Sequence, residues 1–147
     1  MTRALFRELF GEGVVVAEMD PRQADPARLS PDELALVSSA VDSRQREFAA
    51  GRLLARRLLS ELGVEREPLW PEGIVGSITH KRGWAAVALA RSSVVCALGC
   101  DLEEDQPLGE DLWRSVLTPA EQRWLRQQAN GGQLAKVCFS AKECFYK

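Results

Sequence analysis

Val94-Val95-Cys96-Ala97-Leu98-Gly99-Cys100-Asp101-Leu102-Glu103 divides by parity. A β-strand turns successive side chains to opposite faces. Even positions Cys96, Leu98, Cys100 and Leu102 make one apolar face, while Val95, Ala97, Gly99, Asp101 and Glu103 make the other. That second face is small until it ends in two carboxylates. On a strand these project the same way, roughly 7 Å apart, so both can reach one hard cation. Mg²⁺ typically takes one or two carboxylates together with phosphate oxygens. The alternative is a solvated strand end, because Glu104 and Asp105 continue an acidic turn.

The segments before this one alternate between the two regular periods. Gly13–Met19 reads as a short strand, residues 20–31 as a proline-rich loop, and Ser30-Pro31-Asp32-Glu33 as a capped helix start. A helix is predicted over 42–62 with Gly63 as its stop. Ile74–His80 and Trp84–Arg91 read as strands, and the Lys81-Arg82-Gly83 link predicts a hairpin. Thr118-Pro119-Ala120-Glu121 opens a further helix that Asn130-Gly131-Gly132 ends, and a final helix starts near Gln133. It is still running at Lys147. The expectation is therefore the front portion of a longer protein, or a helix docked back on the sheet.

Three groups of polar side chains stand out against this frame. At about 100° per residue, Phe48, Ala55, Leu58, Leu59 and Leu62 of the 42–62 helix all fall within about 60° of Arg44, which so lies on the meridian of the apolar face. Arg52 falls about 80° away at the rim of that stripe, and Arg46 and Arg57 face the opposite side. Guanidinium groups on an apolar face call for an anion, and two suit a phosphate; the alternative is a surface arginine paired to a nearby carboxylate. On the terminal helix, Lys136, Ser140, Glu143 and Lys147 form a narrow polar stripe bordered by Val137, Cys144, Phe139 and Tyr146. That reads as the wall of a site, or as an ordinary Glu–Lys surface pair. His80 closes its strand in a donor-rich turn with Thr79, Lys81 and Arg82, suited to an anion or simply structural.

Composition narrows the classes. The 147 residues are 46% hydrophobic and 27% charged, with a formal net charge of −2. One domain of this length buries roughly 68–70% of the surface its unfolded chain exposes. A pI near 5.5 argues against a general nucleic-acid surface. No apolar run reaches the roughly 20 residues of a membrane helix, and Arg7, Glu8 and Glu12 interrupt the only candidate signal segment. The expected location is cytoplasmic. Cys96, Cys100, Cys138 and Cys144 match no zinc or redox spacing and read as thiols in a reducing compartment. No phosphate-binding glycine loop of the usual kinds is present.

Taken together, four segments resemble the 4′-phosphopantetheinyl transferases, in particular the siderophore-synthase type of enterobactin biosynthesis. They are Arg44-x-x-Glu47-x-x-x-Gly51-Arg52, Leu69-Trp70-Pro71-x-Gly73-x-x-Gly76-Ser77-Ile78-Thr79-His80, Gly99-Cys100-Asp101-Leu102-Glu103, and Phe139-Ser140-Ala141-Lys142-Glu143-Cys144-Phe145-Tyr146-Lys147. The resemblance runs from residue 5 to residue 147.

The resemblance implies an α+β fold built as a pseudo-two-fold pair of halves, with coenzyme A between them. The first half would occupy residues 1–97. The second would start at 98 with a metal-binding strand and helix and be incomplete at 147. It implies Mg²⁺-dependent transfer of 4′-phosphopantetheine from coenzyme A to a serine of an acyl or peptidyl carrier protein, by an enzyme that is monomeric when full length. Asp101, Glu103 and Glu143 would hold the metal, with Asp101 also contacting coenzyme A. Glu143, or a metal-bound water, would activate the carrier serine, and Lys147 would neutralise or protonate the leaving 3′,5′-ADP. Arg44, Arg52, Thr79 and His80 would contact the nucleotide's phosphates. The other expectation is a truncated, inactive remnant that binds coenzyme A or the carrier. A short second half would leave Val137, Phe139, Phe145 and Tyr146 without much of their burial, at roughly 1.5–3 kcal/mol per large side chain, and the 147-residue chain aggregation-prone or partly molten and unable to modify a carrier protein.

Overall fold

The computed structural model describes residues 8–64 and 70–147; Arg7, Pro68 and Leu69, which figured in the sequence reading, lie outside them. The described chain divides into two compact units, one running to Cys100 and including Lys147, the other Asp101–Tyr146. The expected boundary lay at 97/98.

The first unit contains β1 (Val14–Met19), α1 (Pro31–Val37), α2 (Asp42–Glu61), β2 (Ile74–Lys81) and β3 (Trp84–Arg91), with two 3-10 turns in the proline-rich loop. Its antiparallel sheet has the order β1-β3-β2. The central strand explains the packing. Ala85 to Ala90 are completely buried, and Ala85, Val87 and Leu89 alternate onto the face that carries the long helix. α2 supplies the matching face with Ala49, Ala50, Leu54, Ala55, Leu58 and Leu59, packed with Ala17, Ile74, Val87 and Leu89 in one core. Gly51 sits at the closest approach: a Cβ there would stand 2.7 Å from Ile78 Cγ2. Gly51→Val is therefore expected to overpack the helix–sheet contact and cost about 1–3 kcal/mol, read as a lowered urea midpoint at unchanged slope.

The expected punctuation is present. Ser30 and Glu33 exchange the two bonds of a capping box at the start of α1. α2 ends where Gly63 takes φ 72°. Val64 N–H then bonds Leu59 O at 2.9 Å and Gly63 N–H bonds Ser60 O at 3.0 Å, satisfying carbonyls of the last turn. The hairpin closes on the Lys81–Trp84 pair.

The strand expected over 94–103 does not form. Residues 92–94 turn, and the segment after them belongs to no strand. A strand exists through its neighbour's backbone groups; the bonds of Cys100 go instead to a side chain. Cys100 N–H donates to Ser77 Oγ at 3.0 Å, and the same hydroxyl donates to Cys100 O at 3.3 Å.

The second unit has no strand among its described residues. It contains α3 (Glu110–Val116), α4 (Pro119–Leu125) and α5 (Gly131–Tyr146). α3 was not anticipated, and α5 begins at Gly131, inside the segment read as a stop. Thr118 and Glu121 form the expected capping box. Leu108, Trp113, Leu117, Leu125 and Ala135 make a small core, and Trp113 Nε1–H donates to Leu108 O at 3.0 Å. The architecture is α+β, and no described helix is long and apolar enough to cross a membrane.

Candidate functional site

In the first unit, strand alternation separates the two residues of the Thr79-His80 turn. Ile74, Gly76, Ile78 and His80 share the sheet face that carries α2, as Ile74 and Ile78 pack in that core. Ser77 and Thr79 turn to the opposite face. Thr79 and His80, both expected to contact phosphate, therefore face two different environments.

On the helix side, Arg44 Nη1 lies 2.5 Å from His80 Nε2, and Glu47 Oε2 lies 3.2 Å from His80 Nδ1. Arg44 Nη1 also reaches the same carboxylate oxygen at 3.4 Å. Arg44 does sit on the sheet-facing meridian, but in the first turn of α2, where its side chain remains half exposed. Burial first, then the Arg44 charge, pushes the His80 pKa below its ordinary value, against the pull of Glu47. On the other side, Thr79 is buried and its hydroxyl accepts from Lys147 Nζ at 3.4 Å.

Arg52 stands two turns beyond Arg44, about 12 Å along the helix axis. Its guanidinium lies 5.0 Å from the Phe48 ring centroid, and its Nε is 3.7 Å from Glu33 Oε1. Glu33, only 5% exposed at its side chain, also receives Arg56. Arg44 and Arg52 thus sit in separate polar environments and would address separate anionic groups of a ligand. Arg46, expected on the solvated side, bonds Asp42 and donates to Ala24 O at 3.2 Å, while Arg57 is exposed beside Glu61. Glu33, Glu47 and Arg56 were not singled out as functional from the sequence. The R-x-x-E spacing, which puts Arg44 and Glu47 on one helix face, was the available signal for Glu47.

In the second unit, the carboxylates of Gly99-x-Asp101-x-Glu103 meet the polar stripe of α5. Ser140 Oγ donates to Asp101 Oδ2 at 2.8 Å, and Lys136 Nζ donates to Glu103 Oε2 at 2.9 Å. Both members of the Lys136–Glu103 pair are largely buried, with side chains 20% and 14% exposed. Glu143 lies on the same stripe, one turn beyond Ser140, and lines a cleft of about 640 Å³ with Val116, Phe139, Lys142 and Tyr146. Lys142 serves the scaffold: its ammonium donates to Val116 O at 2.9 Å and to Glu121 Oε2 at 2.6 Å. That hydrogen bond is the largest cause holding the Glu121 carboxyl below its ordinary range.

The donor chemistry of this cluster suits a hard cation, with two carboxylates and a hydroxyl gathered on one helix face. Lys136 at present supplies the positive charge facing Glu103. Among the described residues no three metal-ligating side chains stand together, so Asp101, Glu103 and Glu143 are not assembled as a set.

Comparison with known proteins finds two family matches in tandem. Residues 32–90 match the 4′-phosphopantetheinyl transferase N-terminal domain, and residues 97–147 match the 4′-phosphopantetheinyl transferase superfamily. Among curated proteins, the chain is similar to 4′-phosphopantetheinyl transferase Npt of Nocardia iowensis, 36% identical over 144 residues, covering 92% of this chain and 64% of the relative. It is 38% identical over 136 residues to 4′-phosphopantetheinyl transferase Svp of Streptomyces mobaraensis, covering 84% of this chain and 55% of that protein. Enterobactin synthase component D of Escherichia coli K12 is 31% identical over 140 residues, covering 84% of this chain and 66% of its own length. The chain spans between about half and two thirds of the relatives it matches.

Proposed function

Because the chain belongs to the 4′-phosphopantetheinyl transferases, we propose that it carries out, as part of a longer protein, the transfer of phosphopantetheine from coenzyme A to a serine of a carrier protein. The observation that carries this reading is the meeting of Asp101 and Glu103 with the Ser140 and Lys136 stripe of α5. The carrier serine oxygen attacks the β-phosphorus of the coenzyme's pyrophosphate, its proton passes to Glu143, and 3′,5′-ADP departs beside Lys147. Such a reaction is governed by positioning and charge neutralisation. Asp101, Glu103 and Glu143 would hold Mg²⁺, which supplies charge neutralisation at the pyrophosphate when bound. On this reading the chain is the first half of a pseudo-two-fold fold and the start of its second. Further chain would then cover Val137, Phe145 and Tyr146, which are 63%, 90% and 85% exposed.

A second reading is a non-catalytic remnant that binds coenzyme A or a carrier protein. The Lys136–Glu103 pair favours it, because a buried ammonium already compensates the carboxylate without metal.

The nucleotide arginine tests the coenzyme. Arg52→Ala is expected to weaken coenzyme A by about 10- to 100-fold, the scale of one charged hydrogen bond, and 3′-dephospho-coenzyme A much less. Arg57→Ala, exposed on the other side of α2, should change neither titration. Equal losses for both ligands in the Arg52 variant would remove the 3′-phosphate assignment.

A further inference from the structure

Arginine donates and never accepts, so the 2.5 Å contact between Arg44 Nη1 and His80 Nε2 assigns the lone pair to Nε2. The ring proton then lies on Nδ1, directed at Glu47 Oε2 3.2 Å away. This geometry leaves His80 neutral. Were Nε2 protonated, two N–H donors would face each other with no acceptor between them, and in the imidazolium both would also be cationic. A dianionic phosphate placed between Arg44 and His80 removes that conflict, since it accepts from both.

We propose that Glu47 is a positioning residue that locks His80 as the Nδ1–H tautomer, and that a phosphate group arriving at Arg44 is bound together with one proton, taken from solvent, at His80 Nε2. The arrangement suits such an exchange. Arg44 is 49% exposed at its side chain and can swing from the ring to the ligand, whereas Glu47 is 25% exposed and stays beneath it. The charged groups acting on His80 are Arg44 and Glu47 from α2, its neighbour Lys81, and Lys147. Its partner across the sheet is Ala85, and beyond that Met19, neither charged. Burial and the three cations disfavour a charged imidazole, against the pull of the one carboxylate. Two added negative charges reverse that balance, and Glu47 supports the imidazolium from Nδ1.

The sign follows from linkage. The bound state holds the proton more tightly than the free state, so binding strengthens as pH falls between the two His80 pKa values, by up to about tenfold per pH unit. The free value lies below 6.5, so the window opens there and extends upward to the bound value.

His80 is the single histidine of the chain, so its imidazole nitrogen signals need no assignment. The expected ¹⁵N spectrum of the free chain at pH 7.5 shows Nδ1 protonated and Nε2 bare. Inorganic phosphate and, separately, coenzyme A should each raise the His80 pKa by a unit or more. Calorimetry of either anion above pH 7.5, where the free phosphate is itself mainly dianionic, in buffers of different ionisation enthalpy should report fractional proton uptake. Glu47→Gln keeps an acceptor but loses the charge, and should lower the His80 pKa and shrink the uptake. The calorimetric arm needs no variant to fold. An Nε2–H tautomer in the free chain, or anion binding without a change in His80 pKa, would overturn the proposal. The coenzyme arm rests on the transferase reading, whereas the phosphate arm does not. A pKa moved by phosphate but not by coenzyme A would uphold the proton-linked site and count against the coenzyme. Coenzyme A bound without proton exchange would do the reverse.

Discussion

Asp101→Ala, made in a longer protein that carries this chain, is expected to lower carrier modification by on the order of a hundredfold or more. That is the scale on which removal of one charge-stabilising group from an active site acts. Asp101 is half-buried at the start of the second unit and accepts from Ser140 Oγ at 2.8 Å. It takes no part in the small core of Leu108, Trp113, Leu117 and Leu125. Loss of the carboxylate should therefore leave circular dichroism and thermal unfolding close to the parent's. The carrier's mass gain by phosphopantetheine is the direct readout. Chelation by EDTA should reproduce the effect in the parent and be reversed by added Mg²⁺. Ser140→Ala, which removes only the hydrogen bond to Asp101, should cost less than Asp101→Ala. Full turnover by Asp101→Ala at saturating coenzyme A and Mg²⁺ would withdraw the metal assignment, and with it the central observation of the transferase reading.

Elements governed by local rules were legible in the sequence. Ser30 and Thr118 announced capped helices because the cap is formed by residues three apart. Gly63 announced the end of α2 because its positive φ is a local requirement. The 94–103 segment was misread because parity fixes which side chains share a face, whereas a strand also needs a neighbour, and Ser77 supplied a side chain instead. The same limit applied to the site. The α5 stripe was visible at helical spacing, and the structure attaches Asp101 and Glu103 to it through contacts spanning 39 and 33 residues. The Thr79–His80 division required knowing which face of β2 carries α2. The burial of Glu33 was invisible because its capping role is an ordinary surface role, and only tertiary packing brings Arg52 and Arg56 to it.

That buried carboxylate carries the largest stability effect expected in the chain. Glu33 Oε2 accepts from Ser30 N–H at 3.1 Å and receives Arg56, while Oε1 faces Arg52 Nε at 3.7 Å. The Arg52 and Arg56 side chains are 14% and 26% exposed, so neither is freely solvated. Deleting one partner of a buried ion pair typically costs about 3–5 kcal/mol, because the remaining charge stays buried without compensation. Glu33→Ala leaves two guanidinium groups in that position and also removes the helix cap, itself worth about 0.5–2 kcal/mol. Against the roughly 5–15 kcal/mol that holds a typical domain together, the variant should unfold at markedly lower urea or fail to fold at moderate temperature. Glu33→Gln keeps an amide oxygen for the cap and a polar partner for the arginines, so its loss should be smaller. Adding Arg56→Met to Glu33→Ala should recover part of the deficit, since it removes a stranded charge while retaining a chain that can pack. A Glu33→Ala variant within about 0.5 kcal/mol of the parent, the usual range for surface substitutions, would mean that the cluster relaxes to solvent and that Glu33 does not hold Arg52 in place.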